Sequence, residues 1–161
     1  MLTRREAMLA AVAAVPAAAA ISSAQSTLSS AQSTSAPAKP VMHSSAFDWE
    51  KMNEQTTKVG ARRPVFDTPV ATLDRLECHI TTVNPGEEPH PPHQHPEEEL
   101  MLLKEGTLDV MQNGQRQRVG SGSVVFNSSN ELHGFKNVGD TPATYFVIKW
   151  WSSATPSDKA K

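Results

Sequence analysis

The sequence predicts an all-β domain of the small barrel or sandwich kind, on two observations. Runs rich in β-branched and aromatic residues, such as SVVF and TYFVIKWW, have the composition of strands. Turn signals separate such runs about every 8 to 20 residues; they are Pro85-Gly86, Glu105-Gly106, Asn113-Gly114, Gly120-Ser121-Gly122 and Gly139-Asp140. This spacing is typical of a compact β-barrel or sandwich, and no helix of convincing length is predicted, with one exception described below.

The predicted strands follow one another along the chain. Apolar and polar residues alternate imperfectly in ATLDRLECHITTV, which predicts a half-buried strand. The segment TLDVMQNGQRQRV contains Asn113-Gly114, the dipeptide best suited to a tight turn, and this predicts a hairpin. SVVF and TYFVIKWW follow, and the last of these ends at Trp150 and Trp151, which we expect to close the barrel or to form a subunit contact.

One segment carries conflicting signals. From Pro96 to Gly106 the chain has proline first, three glutamates next, four apolar residues, Lys104 and then glycine, which is the pattern of a short helix. A strand prediction here needs support from outside the segment, and the neighbouring histidines supply it.

Three histidines crowd the stretch HPPHQHPEEEL, at 90–100. In an extended chain, residues two apart project from the same face, so His93 and His95 converge. Glu99 has the same parity and so does Glu97, and parity alone leaves both carboxylates as candidates. A further ligand must come from another segment, and His133 in NELHGFKN is the candidate.

These residue types suit a divalent metal. Three neutral imidazoles and one carboxylate neutralise part of its charge and leave one or two coordination positions open for water or substrate. Met101 and Leu103 continue the face of Glu99 as apolar residues, which suits a metal site at the mouth of an apolar barrel interior.

The two segments resemble the paired motifs of the cupin superfamily. GEEPHPPHQHPEEELMLLKEG resembles the first motif at Gly86, His93, His95, Glu99 and Gly106, with a gap of six residues after Gly86 where five is usual. GSVVFNSSNELHGFKN resembles the second motif at Gly122, His133 and Asn137. It departs from that motif at Ser128, where proline is usual, and at Asn130, where glycine is usual; asparagine preserves a left-handed turn at the least cost.

The resemblance, over about Leu73 to Lys149, implies a cupin-type jelly-roll β-barrel that holds one divalent metal ion through His93, His95, Glu99 and His133. Such a ligand set would accept iron, manganese, zinc, nickel or copper, and iron or manganese is favoured if the protein takes up its metal in the cytoplasm before export. The implied partner is a small-molecule ligand or substrate. The family commonly forms dimers, and the segment Phe47 to Phe66 is available for that contact.

The chain is predicted to divide into four segments. A basic stretch with Arg4-Arg5 precedes an Ala- and Val-rich run, which resembles a twin-arginine export signal, although Ala7 replaces a bulky apolar residue and the ordinary secretory route stays open. The divisions we predict are an export signal at 1–24, a disordered Ser/Ala/Gln/Thr linker at 25–45, a cupin β-barrel domain at 46–152 and a flexible tail at 153–161.

Composition and the N-terminal segment limit the classes of partner that the protein is expected to bind and the compartment in which it is expected to lie. A formal net charge of −2 with scattered cations gives no basic face for nucleic acid, and after signal cleavage no stable membrane anchor is expected. The export signal predicts a periplasmic or secreted bacterial protein. The single cysteine, Cys78, excludes an internal disulfide and is expected to be an unreactive core residue.

Three functions are compatible with these features. The first is an exported metal-dependent enzyme, an oxygenase, isomerase, lyase or hydrolase acting on a small organic substrate. The second is a cupin that binds a small ligand through the metal without catalysis, and the third is a structural or interaction module stabilised by the metal.

The sequence does not choose a general acid or base, for which Glu77, Glu131 and Tyr145 are candidates by type. We expect apolar cavity walls from Met101, Leu103, Leu108 and Val110, which would favour an aromatic or aliphatic substrate. No site role is expected for His43, His79 or His90, and a solvated acidic rim is expected from Glu87, Glu88, Glu97 and Glu98.

Overall fold

The computed structural model describes residues 40–156 of the chain. The predicted export signal, most of the predicted linker and the end of the predicted tail lie outside these residues. The described part of the linker, 40–45, has no regular secondary structure and is mostly exposed.

The described residues form nine β-strands after a single 3₁₀ turn at Trp49–Lys51. The strands are β1 (Gln55–Thr57), β2 (Gly60–Thr68), β3 (Arg75–Val83), β4 (Glu98–Glu105), β5 (Thr107–Gln112), β6 (Gln115–Gly120), β7 (Val124–Asn127), β8 (His133–Asn137) and β9 (Ala143–Trp151). They build a six-stranded sheet in the order β1-β2-β3-β9-β4-β7 and a three-stranded sheet in the order β6-β5-β8. All the pairings are antiparallel, and the predicted all-β fold is confirmed.

The segment with conflicting signals is a strand. Strand β4 pairs with β9 on one side and β7 on the other, so Glu99 lies opposite both Lys149 and Asn127. Met101 and Leu103 are completely or almost completely buried, at 0% and 1% exposure. Burial of alternate residues in a sheet has outweighed the helical pattern of the segment.

The core lies between the two sheets. Its buried residues alternate along β4 and β9 and meet residues of β5 and β8; they are Val83, Met101, Leu103, Leu108, Val110, Val125, Phe135, Ala143, Tyr145 and Val147. Alternation also places Glu77, His79 and Thr81 of β3 on the same face of their strand as the core residue Val83. The interior is therefore apolar towards one end of these strands and polar towards the other.

Two turns predicted from sequence have the expected geometry. Asn113 and Gly114 join β5 to β6 with positive φ angles of 49° and 82°. Asn130, which replaces the usual glycine, is left-handed at φ 57°. The tight turn is therefore kept despite the substitution, because asparagine tolerates this conformation.

Among residues 40–156, no helix is long and apolar enough to cross a membrane.

Candidate metal centre

Three histidines from two separate segments meet at the polar end of the interior. One potential ligand atom from each of His93, His95 and His133 lies within 4.8 Å of the others. The backbones of His93 and His133 hold this arrangement, because each N–H donates to the other's carbonyl oxygen at 2.9 Å. The segment before β4 is thereby fixed against the start of β8.

Hydrogen bonds to backbone carbonyl groups orient two of the rings. Nδ1 of His95 lies 3.0 Å from the carbonyl oxygen of Glu97, and Nδ1 of His133 lies 2.9 Å from that of Glu131. A carbonyl only accepts, so each Nδ1 carries a proton, and when the ring is neutral its Nε2 keeps the lone pair. Both Nε2 atoms, and Nδ1 of His93, are buried without a hydrogen-bond partner in the described part of the chain. Unsatisfied buried lone pairs of this kind fit a metal ion.

Glu99 lies beside the histidines on β4. One of its oxygens, Oε2, is 3.6 Å from Nε2 of His95, and Oε1 is 3.9 Å from Nε2 of His133. Oε1 also accepts a hydrogen bond of 2.9 Å from Nδ2 of Asn127 on β7. The structure thus brings together all four residues that the sequence proposed, although only the histidines form the tight group of ligand atoms.

The electrostatic environment favours neutral imidazoles at two positions. Burial, helped by the neighbouring histidines, lowers the pKa of His93 to about 4. Burial also lowers the pKa of His133. The pKa of His95 is raised, chiefly by the neighbouring Glu99 carboxylate, whose Oε2 lies 3.6 Å from its Nε2. Burial opposes ionisation of Glu99, but His95, His133 and Asn127 together outweigh it and lower the pKa of this carboxyl.

A cavity of about 460 Å³ opens beside the cluster. His93, His95 and Glu99 line part of it. Its apolar wall includes Val59, Ala61, Phe135, Tyr145 and Val147, and its cationic wall is Lys58, Arg62 and Lys149. The volume is within the range that holds a small organic molecule.

Comparison with known families agrees with this geometry. Residues 79–149, which contain the whole histidine cluster, match the family model described as a cupin domain. These residues form a cupin domain. Among curated proteins, none matches the sequence significantly.

Solved structures of other proteins share the fold. An RmlC-like cupin from Shewanella frigidimarina is 17% identical, with 69% of this chain and 95% of that chain covered and a TM-score of 0.56. KdgF from Halomonas sp. is 18% identical, with 72% of this chain and 97% of that chain covered and a TM-score of 0.57. The polyketide cyclase RemF from Streptomyces resistomycificus is 22% identical, with 67% of this chain and 80% of that chain covered and a TM-score of 0.56. At these identities the likeness establishes the fold of the cupin domain and leaves its reaction open.

The walls of the cupin cavity differ from the sequence prediction. Met101, Leu103, Leu108 and Val110 are buried in the core and do not line the cavity, so their predicted role as its walls is wrong. They belong to the buried core that side chains of both sheets form.

A network in the wall of the cavity was not predicted. His79, for which no role was expected, lines the cavity, and its Nδ1 lies 2.6 Å from Oε1 of Glu77. Glu77 also accepts a hydrogen bond of 3.0 Å from Nη2 of Arg62, and its Oε2 is 3.5 Å from Nζ of Lys149. Burial opposes ionisation of Glu77, but His79, Lys149 and Arg62 together lower its pKa. The alternation of Glu77 and His79 in ECH was the one local signal that could have indicated this pair.

The other candidate acids and bases of the cupin domain differ in whether they line the cavity. Tyr145 lines the cavity, but burial raises its pKa, so its hydroxyl stays protonated. Glu131 is exposed and does not line the cavity. His90, expected at the surface, is exposed but also lines the cavity, and its ring centroid is 4.2 Å from that of His93.

Two expectations outside the site have clear outcomes. The acidic rim is confirmed for Glu87 and Glu88, which are exposed, and is wrong for Glu97 and Glu98, which are half-buried. Glu98 accepts a hydrogen bond of 2.9 Å from Nε1 of Trp150, which explains its burial.

Cys78 is buried, and burial raises its pKa to about 11, so this thiol is an unreactive core residue as expected.

Proposed function

We propose that this chain is a metal-dependent enzyme that acts on a small organic molecule, as an oxygenase, isomerase, lyase or hydrolase. The observation that carries the proposal is the cluster of buried, unpartnered imidazole nitrogens that faces a cavity of about 460 Å³. A metal that only stabilised the fold would not need a neighbouring cavity of this size. A ligand-binding protein and an enzyme would both need such a cavity.

The proposed metal ligands are His93, His95, Glu99 and His133. Nitrogen and oxygen donors of this kind suit a divalent metal ion, which when bound would supply a Lewis acid. The chain itself contributes the orientation of the donors. Carbonyl groups hold the His95 and His133 rings, and Asn127 holds the Glu99 carboxylate.

Iron or manganese is the proposed metal, with zinc, nickel or copper as alternatives. The proposal depends on the route of export, because a twin-arginine substrate folds and takes up metal in the cytoplasm before it crosses the inner membrane. The proposed location is periplasmic or secreted. Replacement of Arg4 and Arg5 by lysine should stop export; continued export would indicate the ordinary secretory route and remove this reason for iron or manganese.

Turnover of an unknown substrate tests the proposed activity. Metal-loaded wild-type protein and the His93→Ala, His133→Ala double variant are incubated with a small-molecule extract of the source bacterium, and both mixtures are analysed by mass spectrometry over time. The enzyme proposal predicts that one compound disappears and another appears only with the wild type. A compound that is retained by the wild type but never converted would instead support the second candidate, a non-catalytic binding protein.

A homodimer remains the proposed assembly. The edge strand β1 and the aromatic contacts of Phe47 with Phe66, at 5.2 Å between ring centroids, lie in the segment proposed for the contact. A monomer by size-exclusion chromatography with light scattering would contradict this proposal.

A further inference from the structure

The cavity beside the histidine cluster has walls of two kinds. Side chains of Val59, Ala61, Phe135 and Val147 provide an apolar surface. Lys58, Arg62 and Lys149 provide three cations, and they come from separate places in the chain: the turn before β2, β2 itself and β9. Such a cavity is suited to a molecule that is apolar at one end and negatively charged at the other.

The charges of the cavity wall do not cancel. Two carboxylates lie among these cations, Glu99 in the lining and Glu77 directly behind it, and the side chains of both are almost fully buried, at 7% and 8% exposure. Counted over the lining residues and Glu77, three cations against two carboxylates leave one positive charge in excess. A divalent metal at the histidines would increase that excess. An anion that enters the cavity therefore meets a positive potential in a partly desolvated space, where charge interactions are strong.

Glu77 holds two of the cations in place without saturating them. Arg62 donates to it from Nη2 at 3.0 Å, and this is the single side-chain hydrogen bond of Arg62 within the described region. The remaining guanidinium donors can bind a carboxylate in the fork geometry that arginine favours. Nζ of Lys149 is 3.5 Å from the other oxygen of Glu77, and the side chain of Lys149 is 24% exposed.

The strand register relates these cations to the candidate metal centre. Lys149 on β9 lies directly opposite Glu77 on one neighbouring strand and Glu99 on the other. Arg62 lies opposite Thr81, further along β3. A small acid held by both cations would thus extend across the cavity wall beside the metal ligands.

We propose that the cavity binds an organic anion, a small carboxylic acid with an aromatic or aliphatic body, whose carboxylate is bound by Arg62 and Lys149. The apolar body lies against the wall that includes Val59, Phe135 and Val147. This inference rests on the proposed function, since it names the class of molecule that the same cavity takes. Glu77 is a positioning residue, because it acts through the two cations.

Matched acids and amides test the inference. Manganese-loaded protein is titrated by calorimetry with benzoate and hexanoate and with their neutral analogues, benzamide and hexanamide. We expect at least one acid to bind about tenfold more tightly than its amide. Arg62→Gln and Lys149→Gln should each weaken the binding of that acid about tenfold and leave amide binding unchanged.

The controls separate the cations from the metal and from the fold. Arg118→Gln and Lys136→Gln remove exposed cations outside the cavity and should change nothing, whereas Arg62→Lys should restore part of the affinity. Metal content and thermal melting are measured for every variant. Equal affinity for acids and amides, no binding of either, or acid binding that survives both cavity substitutions would overturn the inference. If the wild type fails to take up manganese, it is the proposed metal function that fails, and acid binding by the metal-free protein still decides the anion proposal.

Discussion

Oε1 of Glu99 accepts a hydrogen bond of 2.9 Å from Nδ2 of Asn127, and the two residues lie directly opposite each other on β4 and β7. Asn127 is in turn fixed by Gln112, whose Nε2 donates to its Oδ1 at 2.8 Å. This chain of contacts leaves the other oxygen of Glu99 turned towards His95, at 3.6 Å. The asparagine therefore orients a proposed metal ligand without touching the histidines.

Loss of this contact should weaken metal binding. Asn127→Ala frees the carboxylate of Glu99 to rotate, and we expect metal affinity to fall about 10- to 100-fold, the usual effect of removing a residue that orients a ligand. Competition with a chromogenic chelator measures the affinity. Asn53→Ala, at an exposed position outside the site, is the matched control. Unchanged affinity in the Asn127 variant would show that Glu99 is not a ligand or needs no support.

Metal binding should depend on pH through one histidine in particular. Of the three histidines, His95 has the raised pKa and so holds its proton to the highest pH, whereas His93, with a pKa of about 4, and His133, with a lowered pKa, are neutral near pH 7. Affinity is therefore full above the pKa of His95 and falls about tenfold per pH unit below it. At a pH below the pKa of His95, calorimetry in buffers of different ionisation enthalpy should detect release of about one proton. Affinity that is constant from about pH 5 to 8 would contradict this assignment.

Asn137 of the second motif should contribute to stability rather than to the site. Its side chain is fully buried and donates to the carbonyl oxygens of Val83 and Thr141, at 2.9 and 2.8 Å, while its Oδ1 accepts from the N–H of Gly139. Asn137→Ala leaves these groups without partners, and we expect the free energy of unfolding to fall by about 3 kcal/mol. Urea denaturation of the metal-free protein measures this fall. The exposed Asn84→Ala should lose less than about 0.5 kcal/mol, and equal losses in the two variants would refute the explanation.

Two glycines with similar backbone angles should respond differently to the same substitution. Gly106, at φ +95°, has no room for a side chain, because an added Cβ would lie 2.5 Å from Cα of Ala143. Gly114, at φ +82°, faces open space. We expect Gly114→Ala to cost about 1 kcal/mol for the backbone conformation alone, and Gly106→Ala to cost at least about 2 kcal/mol more because of the clash. Comparable midpoints of thermal unfolding for the two variants would contradict the crowding at Gly106.

The sequence was informative where function or a turn restricts the residue type. The spacing of His93 and His95, with His133 in a second motif, was enough to predict that the three would converge, and Asn113-Gly114 marked a hairpin that the structure contains. Strand β4 was harder, because its local pattern is that of a helix. Only its burial between β7 and β9 decides the conformation, and such burial is a property of the whole fold.

The cationic wall could not be predicted for a related reason. Arg62 and Lys149 are far apart in the chain and belong to no motif, and they become neighbours of Glu77 only through the pairing of β3 with β2 and β9. His79 lacked any partner in the sequence until the register placed it in the cavity wall. The cavity walls were assigned to Met101 and Leu103 for the same reason, since alternation gives the face of a residue but not its depth in the barrel.

Elemental analysis is the most direct test of a metal centre built from His93, His95, Glu99 and His133. The protein is purified without chelator from its native source, beside the His93→Ala, His133→Ala double variant, and folding of both is checked by circular dichroism. We predict about one equivalent of iron or manganese per chain in the wild type and none in the folded variant. A well-folded wild type without metal, or a variant that keeps its metal, would contradict the proposed centre.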